Sequence, residues 1–183
     1  GGGHTHVFLR MSQAAMGVPL QLYDAQSVAN IVNALGRAGV RDYELLAYLS
    51  PALFRPDAGG GGEGGVEFNA QEMAQIVNAL AKLGAADDML LKEVGARILA
   101  IPPPQFDPQA VANILNGYAR MNVVDRNLFM HLGEVILLMD HDELAEECCR
   151  HAGSILNAFA RTRTRPGRVF GHVTRAAVLY LGR

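Results

Sequence analysis

"ANILNGYARMN", residues 112–122, sets two asparagines three apart and an arginine four beyond the second, with apolar residues between. Polar residues at that spacing share one edge of a helix. The chain repeats the pattern as "ANIVNALGRAG" from 29, "AQIVNALAKLG" from 74 and "GSILNAFARTR" from 153. Aligning the four segments puts Asn33, Asn78, Asn116 and Asn157 in register, at spacings of 45, 38 and 41 residues. Self-similarity at such a period marks stacked helical units.

Three units open alike, with "YDAQ" at 23, "FNAQ" at 68 and "FDPQ" at 106. Asp24, Asn69 and Asp107 are expected as N-caps, with Pro108 at a first helical position where a missing N–H costs nothing. The aromatic before each cap (Tyr23, Phe68, Phe106) can staple onto Val28, Met73 or Val111. Each first helix, helix A, should stop near Gly39, Gly84 or Asn122, which tolerate a left-handed C-cap. Asp42, Asp87 and Asp125 are then in position to cap a second helix, helix B. Its versions read "YELLAYLSPAL", "MLLKEVGARIL", "LFMHLGEVILL" and "VFGHVTRAAVL".

The expected fold is all-α, an α-solenoid of antiparallel helix-turn-helix repeats of roughly 38–45 residues whose stacking supplies the core. Residues 1–20 read as the orphan second helix of a preceding repeat. Repeat 1 spans 21–67 with a Gly-rich insertion at 55–67, repeat 2 spans 68–105 and repeat 3 spans 106–141. Repeat 4 covers 142–183; it lacks the aromatic-Asx-Gln entry, and Asp142 is its expected cap. The chain reads as a window on a longer array. Expected core sets are Val28/Ile31/Val32/Leu35, Met73/Ile76/Val77/Leu80, Val111/Ile114/Leu115/Tyr118 and Ala152/Ile155/Leu156/Phe159. Small residues recur at 34, 79, 117 and 158, and at 36, 81, 119 and 160, where neighbouring helices can approach closely.

Half of the residues are hydrophobic and 19% are charged, a globular composition without an apolar run of the ~18 residues a membrane span needs. A soluble protein without membrane contact is expected. Cys148 and Cys149, side by side, cannot build a disulfide framework or a zinc site, which suits a reducing intracellular setting. Net charge is −2, but residues 1–160 carry −8 and residues 161–183 carry six arginines and no acid. That asymmetry points to a polyanionic partner for the basic end.

With the core face assigned, the remaining edge of helix A reads Gln26, Asn30, Asn33, Arg37; then Gln71, Gln75, Asn78, Lys82; then Gln109, Asn113, Asn116, Arg120; then Arg150, Ser154, Asn157, Arg161. Amides donate and accept, so they can read base edges, and one cation per unit suits a phosphate backbone. Asn33 and its counterparts never vary between units, which favours a structural amide. Gln26, Gln71 and Gln109 lie in first turns, where capping explains them equally well. The row Arg37, Lys82, Arg120, Arg161 ends each helix A, where the macrodipole favours a cation by about 0.3–1 kcal/mol; helix capping and a phosphate ladder both account for it. Asn30, Gln75, Asn113 and Ser154 vary while staying polar, as ligand-reading positions would. The stretch "RTRTRPGR" (161–168) alternates Arg161, Arg163, Arg165 and Arg168 with small residues, and Arg175 follows; phosphate or an acidic protein surface would answer it.

The remaining constellations carry less. His4 and His6, the run "DHDE" at 140–143 and the cysteine pair are each explained by a chain end, a loop with a cap, or packing. No nucleophile–base pairing, phosphate-binding loop, dinucleotide fingerprint or metal motif occurs. No enzyme activity, catalytic residue, metal or cofactor is expected.

The run Phe-Asx-x-Gln, Ala-x-Ile-[Val/Leu]-Asn-Ala-[aromatic/Leu]-Ala-[Arg/Lys], Asp-x-x-Leu resembles the heptatricopeptide and octotricopeptide helical repeats. These belong to organellar RNA-binding proteins, including the RAP-domain and FASTK-like group, and are abundant in apicomplexan parasites. The resemblance covers roughly 20–180 and is carried best by repeats 2 and 3. It implies a mitochondrial RNA-binding protein, an rRNA-contacting structural component of a mitochondrial ribosome acting in translation, with neighbouring proteins of a ribonucleoprotein assembly as further partners. Carried over by position, it implicates 30, 75, 113 and 154 and the cations at 37, 82, 120 and 161. The alternative is a protein–protein scaffold subunit of a large organellar complex without direct RNA contact, which the acidic first 160 residues suit.

Overall fold

The computed structural model describes residues 2–54, 67–85, 87–164 and 166–181. The Gly-rich insertion, apart from Glu67, and Arg165 lie outside them, as do the side chains of His4, Asp142, Cys148, Cys149 and Arg150. Among the described residues every regular element is helical and none is a strand. The helices are α1 (Gly2–Met16), α2 (Ala25–Ala38), α3 (Tyr43–Phe54), α4 (Ala70–Leu83), α5 (Asp88–Ala100), α6 (Pro108–Arg120), α7 (Arg126–Leu138), α8 (His141–Arg161) and α9 (Gly167–Leu181). None of them is long and apolar enough to cross a membrane. The chain forms two compact units, Gly1–Val94 and Gly95–Arg183.

Local chemistry sets the helix ends. The carboxyls of Asp24 and Asp107 accept from the amides of Ser27 and Ala110, at 2.7 and 2.6 Å. At α4 the cap is reciprocal, because Asn69 accepts from the Glu72 amide while the Glu72 carboxylate accepts from the Asn69 amide, both at 2.9 Å. Glu72, rather than the neighbouring Gln71, therefore closes that box. Asp42, Asp87 and Asp125 accept from Leu45, Leu90 and Leu128, at 2.9, 2.8 and 3.0 Å. Gly39 and Gly84 end α2 and α4 at φ +66° and +65°, a conformation that costs glycine nothing. Asn122, at φ +58°, does the same work after α6. The stapling aromatics Tyr23, Phe68 and Phe106 are all buried. Repeat 4 differs from expectation. Because α8 begins at His141, Asp140 occupies the cap position, its carbonyl accepting from Leu144, and Asp142 lies inside the first turn.

In the first unit the A helices α2 and α4 pack side by side, and α3 touches both α1 and α2. The second unit follows the same plan, with α6 on α8, α7 on α9, and the hairpins α6–α7 and α8–α9 closed. Each unit thus has an A layer and a B layer with the core between them. Val28, Val32, Met73, Ile76, Val77, Leu80, Val111, Ile114, Leu115, Ile155 and Phe159 are buried. Ile31, Ala152 and Leu156 are only half-buried; they stand at the edge of the apolar stripe, where the core stops and the polar edge starts.

Small residues decide how close the A helices come. A Cβ added to Gly36 of α2 would lie 2.7 Å from both Cα and Cβ of Ala79 in α4. The two backbones are therefore in contact with no room for a methyl group. In the second unit Gly133 of α7 is confined similarly, an added Cβ falling 3.3 Å from Val169 of α9. Tyr118 fills the second core to 1% exposure; burial first, and then the nearby Asp125 carboxylate, raises its phenol far above the ordinary tyrosine range.

Two measurements check this account. Gly36→Ala should destabilise the protein by about 1–3 kcal/mol through overpacking against Ala79, despite alanine's better helix propensity, read as a lower urea midpoint. The Asp24 carboxyl, held by its bonds to Ser27, titrates below the ordinary aspartate range. Its contribution to α2 is therefore present above the unfolded-state pKa and lost as pH falls through the folded value. A carboxyl titration followed by NMR should give Asp24 a midpoint below that of an unstructured aspartate.

Candidate nucleic-acid interface

On the A layer of the first unit Asn30 is exposed and Gln75 half-buried, on neighbouring helices α2 and α4. In the second unit Asn113 and Ser154, both half-buried, occupy the matching positions of α6 and α8. Within each unit the packing brings the variable polar pair onto adjacent A helices. Gln75 stands out because its Oε1 is buried without a hydrogen-bond partner among the described residues. A buried acceptor left unmet costs about 1–3 kcal/mol. The invariant asparagines Asn33, Asn78 and Asn116 sit half-buried, whereas Asn157 is exposed.

Arg37, Lys82, Arg120 and Arg161 are exposed in the last turns of α2, α4, α6 and α8. There each offsets the unpaired carbonyls of its own helix while its head group stays in water.

The turn from α8 to α9 is built around Thr162. This residue is 8% exposed, and its hydroxyl donates to the carbonyl of Ala158 at 3.0 Å, with that of Phe159 at 3.3 Å. Thr164 Oγ1 lies 3.3 Å from that hydroxyl. With Thr162 turned inward, Arg161 and Arg163 on either side are both exposed. Arg163 adopts φ +54°, a left-handed conformation uncommon for a residue with a side chain. Arg168 and Arg175 are exposed on α9, and no carboxylate among the described residues pairs with Arg161, Arg163 or Arg168. The threonine anchor is what the sequence reading missed. A small polar residue between arginines looks like solvated turn, and only packing against Phe159 and its neighbours reveals that it is inside.

A protein-family model matches residues 6–181, nearly the whole chain; its description is RNA-editing substrate-binding complex 6 protein, or RESC6. The chain belongs to the RESC6 family. It is thus an RNA-associated helical protein. No curated protein matches the chain.

Thr162→Val keeps the shape and deletes the hydroxyl. It should cost about 0.5–1.5 kcal/mol and speed amide hydrogen exchange at Arg163 and Thr164, measured by mass spectrometry, with the helical circular dichroism unchanged.

Proposed function

We propose that this protein is a non-catalytic, RNA-contacting helical-repeat subunit of a mitochondrial RNA-editing substrate-binding complex. The observation that carries the reading is the α8–α9 turn, where Arg161, Arg163 and Arg168 project from a hydroxyl-anchored bend in a chain of the RESC6 family. Arginine in that setting recognises phosphate bidentately. Arg165, between them in sequence, and Arg175, on α9, add to the positive charge of this stretch. Asn30, Gln75, Asn113 and Ser154 would add contacts to exposed bases, with Arg37, Lys82 and Arg120 along the backbone. Asn30 is the exposed one of the four. Family membership supports RNA editing and mitochondrial residence. The narrower RAP-domain and FASTK-like kinship, the ribosomal setting and rRNA as the bound species rest on the repeat resemblance alone, and the family favours an editing complex over them.

The scaffold reading has its own support in the acidic first 160 residues. Under it, association with complex partners would survive ribonuclease and loss of the arginines.

The deciding experiment replaces Arg161, Arg163, Arg165 and Arg168 together by Ala and follows binding of a labelled single-stranded RNA across a salt series. Loss of four phosphate contacts should lower affinity at low salt by at least about tenfold and flatten the log–log salt slope by up to about 3. Undiminished affinity in this variant would remove the electrostatic basis of the proposal.

A further inference from the structure

The two threonine hydroxyls in the bend between α8 and α9 are not equivalent. The sequence holds eight serines and threonines, and Thr164 is the one with arginines both three and one residues before it, Arg161 and Arg163. A protein kinase that takes basic substrates can read such arginines with carboxylates, since each guanidinium pairs bidentately at a fixed offset from the acceptor hydroxyl. Thr162, two residues earlier, is closed to such an enzyme. It is buried, and its hydroxyl is engaged with the Ala158 carbonyl at 3.0 Å.

Thr164 is half-buried and lies outside both helices. It falls between the bond that closes α8, from the Arg163 amide to the Ala160 carbonyl at 3.2 Å, and the bond at the start of α9, from the Val169 amide to the Pro166 carbonyl at 2.9 Å. Its hydroxyl accepts from Thr162 at 3.3 Å and donates to the Thr162 carbonyl at the long distance of 3.5 Å. Esterifying that oxygen therefore removes one long bond and leaves the Thr162–Ala158 anchor in place.

We propose that Thr164 is a phosphorylation site for an arginine-directed protein kinase, and that its phosphate shuts the arginine bend to RNA. The second half rests on the RNA-contact reading of that bend; the first does not. In the transfer, Thr164 Oγ1 bonds to the γ-phosphorus of ATP while the bond from that phosphorus to the bridging β-phosphate oxygen breaks. ADP leaves, and the hydroxyl proton passes to the kinase's carboxylate base. The product carries about −1.5 to −2 charge and three acceptor oxygens at neutral pH. Arg161, Arg163 and Arg168 stand three, one and four residues from it, and no acidic residue occurs from 161 to 183. The first turn of α9, where negative charge is favoured, holds no acidic side chain. The new dianion thus engages guanidiniums that would otherwise meet RNA phosphate.

The test incubates the full chain with MgATP and the catalytic subunit of cAMP-dependent protein kinase, and locates added phosphate by fragment mass spectrometry. Phosphate should appear on Thr164 and not on Thr162, and Thr164→Val should abolish it with unchanged circular dichroism. The purified phosphorylated chain should bind a labelled single-stranded RNA about three- to tenfold more weakly at low salt, with the log–log salt slope flattened by about 1–2. Kinase-treated Thr164→Val should bind as the untreated chain does. No phosphate at Thr164, or phosphate there with undiminished RNA affinity, overturns the proposal. An untreated chain that binds no RNA removes the RNA reading and the shut-off with it, while incorporation at Thr164 still decides the modification.

Discussion

The contact between Gly36 and Ala79 is the constraint from which the first unit's architecture follows. Two helices whose backbones touch have one relative position, because any side chain larger than hydrogen at 36 would drive them apart. That contact brings Val28, Val32, Met73, Ile76 and Val77 together as a shared interior. It also leaves Asn30 and Gln75 on neighbouring helices at the border of that interior. In α6 and α8 the small residues Gly117, Ala119 and Ala158 are likewise buried. Dispersion and burial stabilise such layers without direction; steric fit at the small residues is what gives them a register.

Polarity in these units is distributed by layer. The A helices combine amides with terminal cations, whereas the starts of α3 and α5 in the B layer are acidic. The helix macrodipole accounts for both arrangements, since cations sit at the C-terminal ends of α2, α4, α6 and α8 and carboxylates at the N-terminal ends of α3 and α5. A repeated hairpin therefore acquires charge-separated surfaces from helix capping alone. The arginines after α8 and the exposed Tyr43 and Met89 in the first turns of α3 and α5 are local elaborations of that plan.

Much of this was legible in the chain because it is local. Asp24, Asn69 and Asp107 announce helix starts by residue type, and Gly39 and Gly84 announce helix stops by the backbone they allow. The stapling aromatics and most of the core follow from spacing. The start of α8 was displaced to Asp140 and His141 because "MDHDE" offers several cap residues and no aromatic to choose among them. Ile31 and Leu156 have the spacing of interior residues, yet their half-burial depends on how far a neighbour reaches across, which periodicity cannot give. Thr162's inward hydroxyl and Gln75's stranded acceptor are products of tertiary packing. No spacing rule carries them.

The left-handed backbone at Arg163 sets two properties of the bend against each other. Glycine would sit there without steric penalty and relieve about 1–2 kcal/mol, but would remove a positive charge from the outer side of the Thr162 anchor. The firmest version of this corner is consequently a less cationic one, and a laboratory search for thermostable variants would drift toward it by giving up positive charge at the bend.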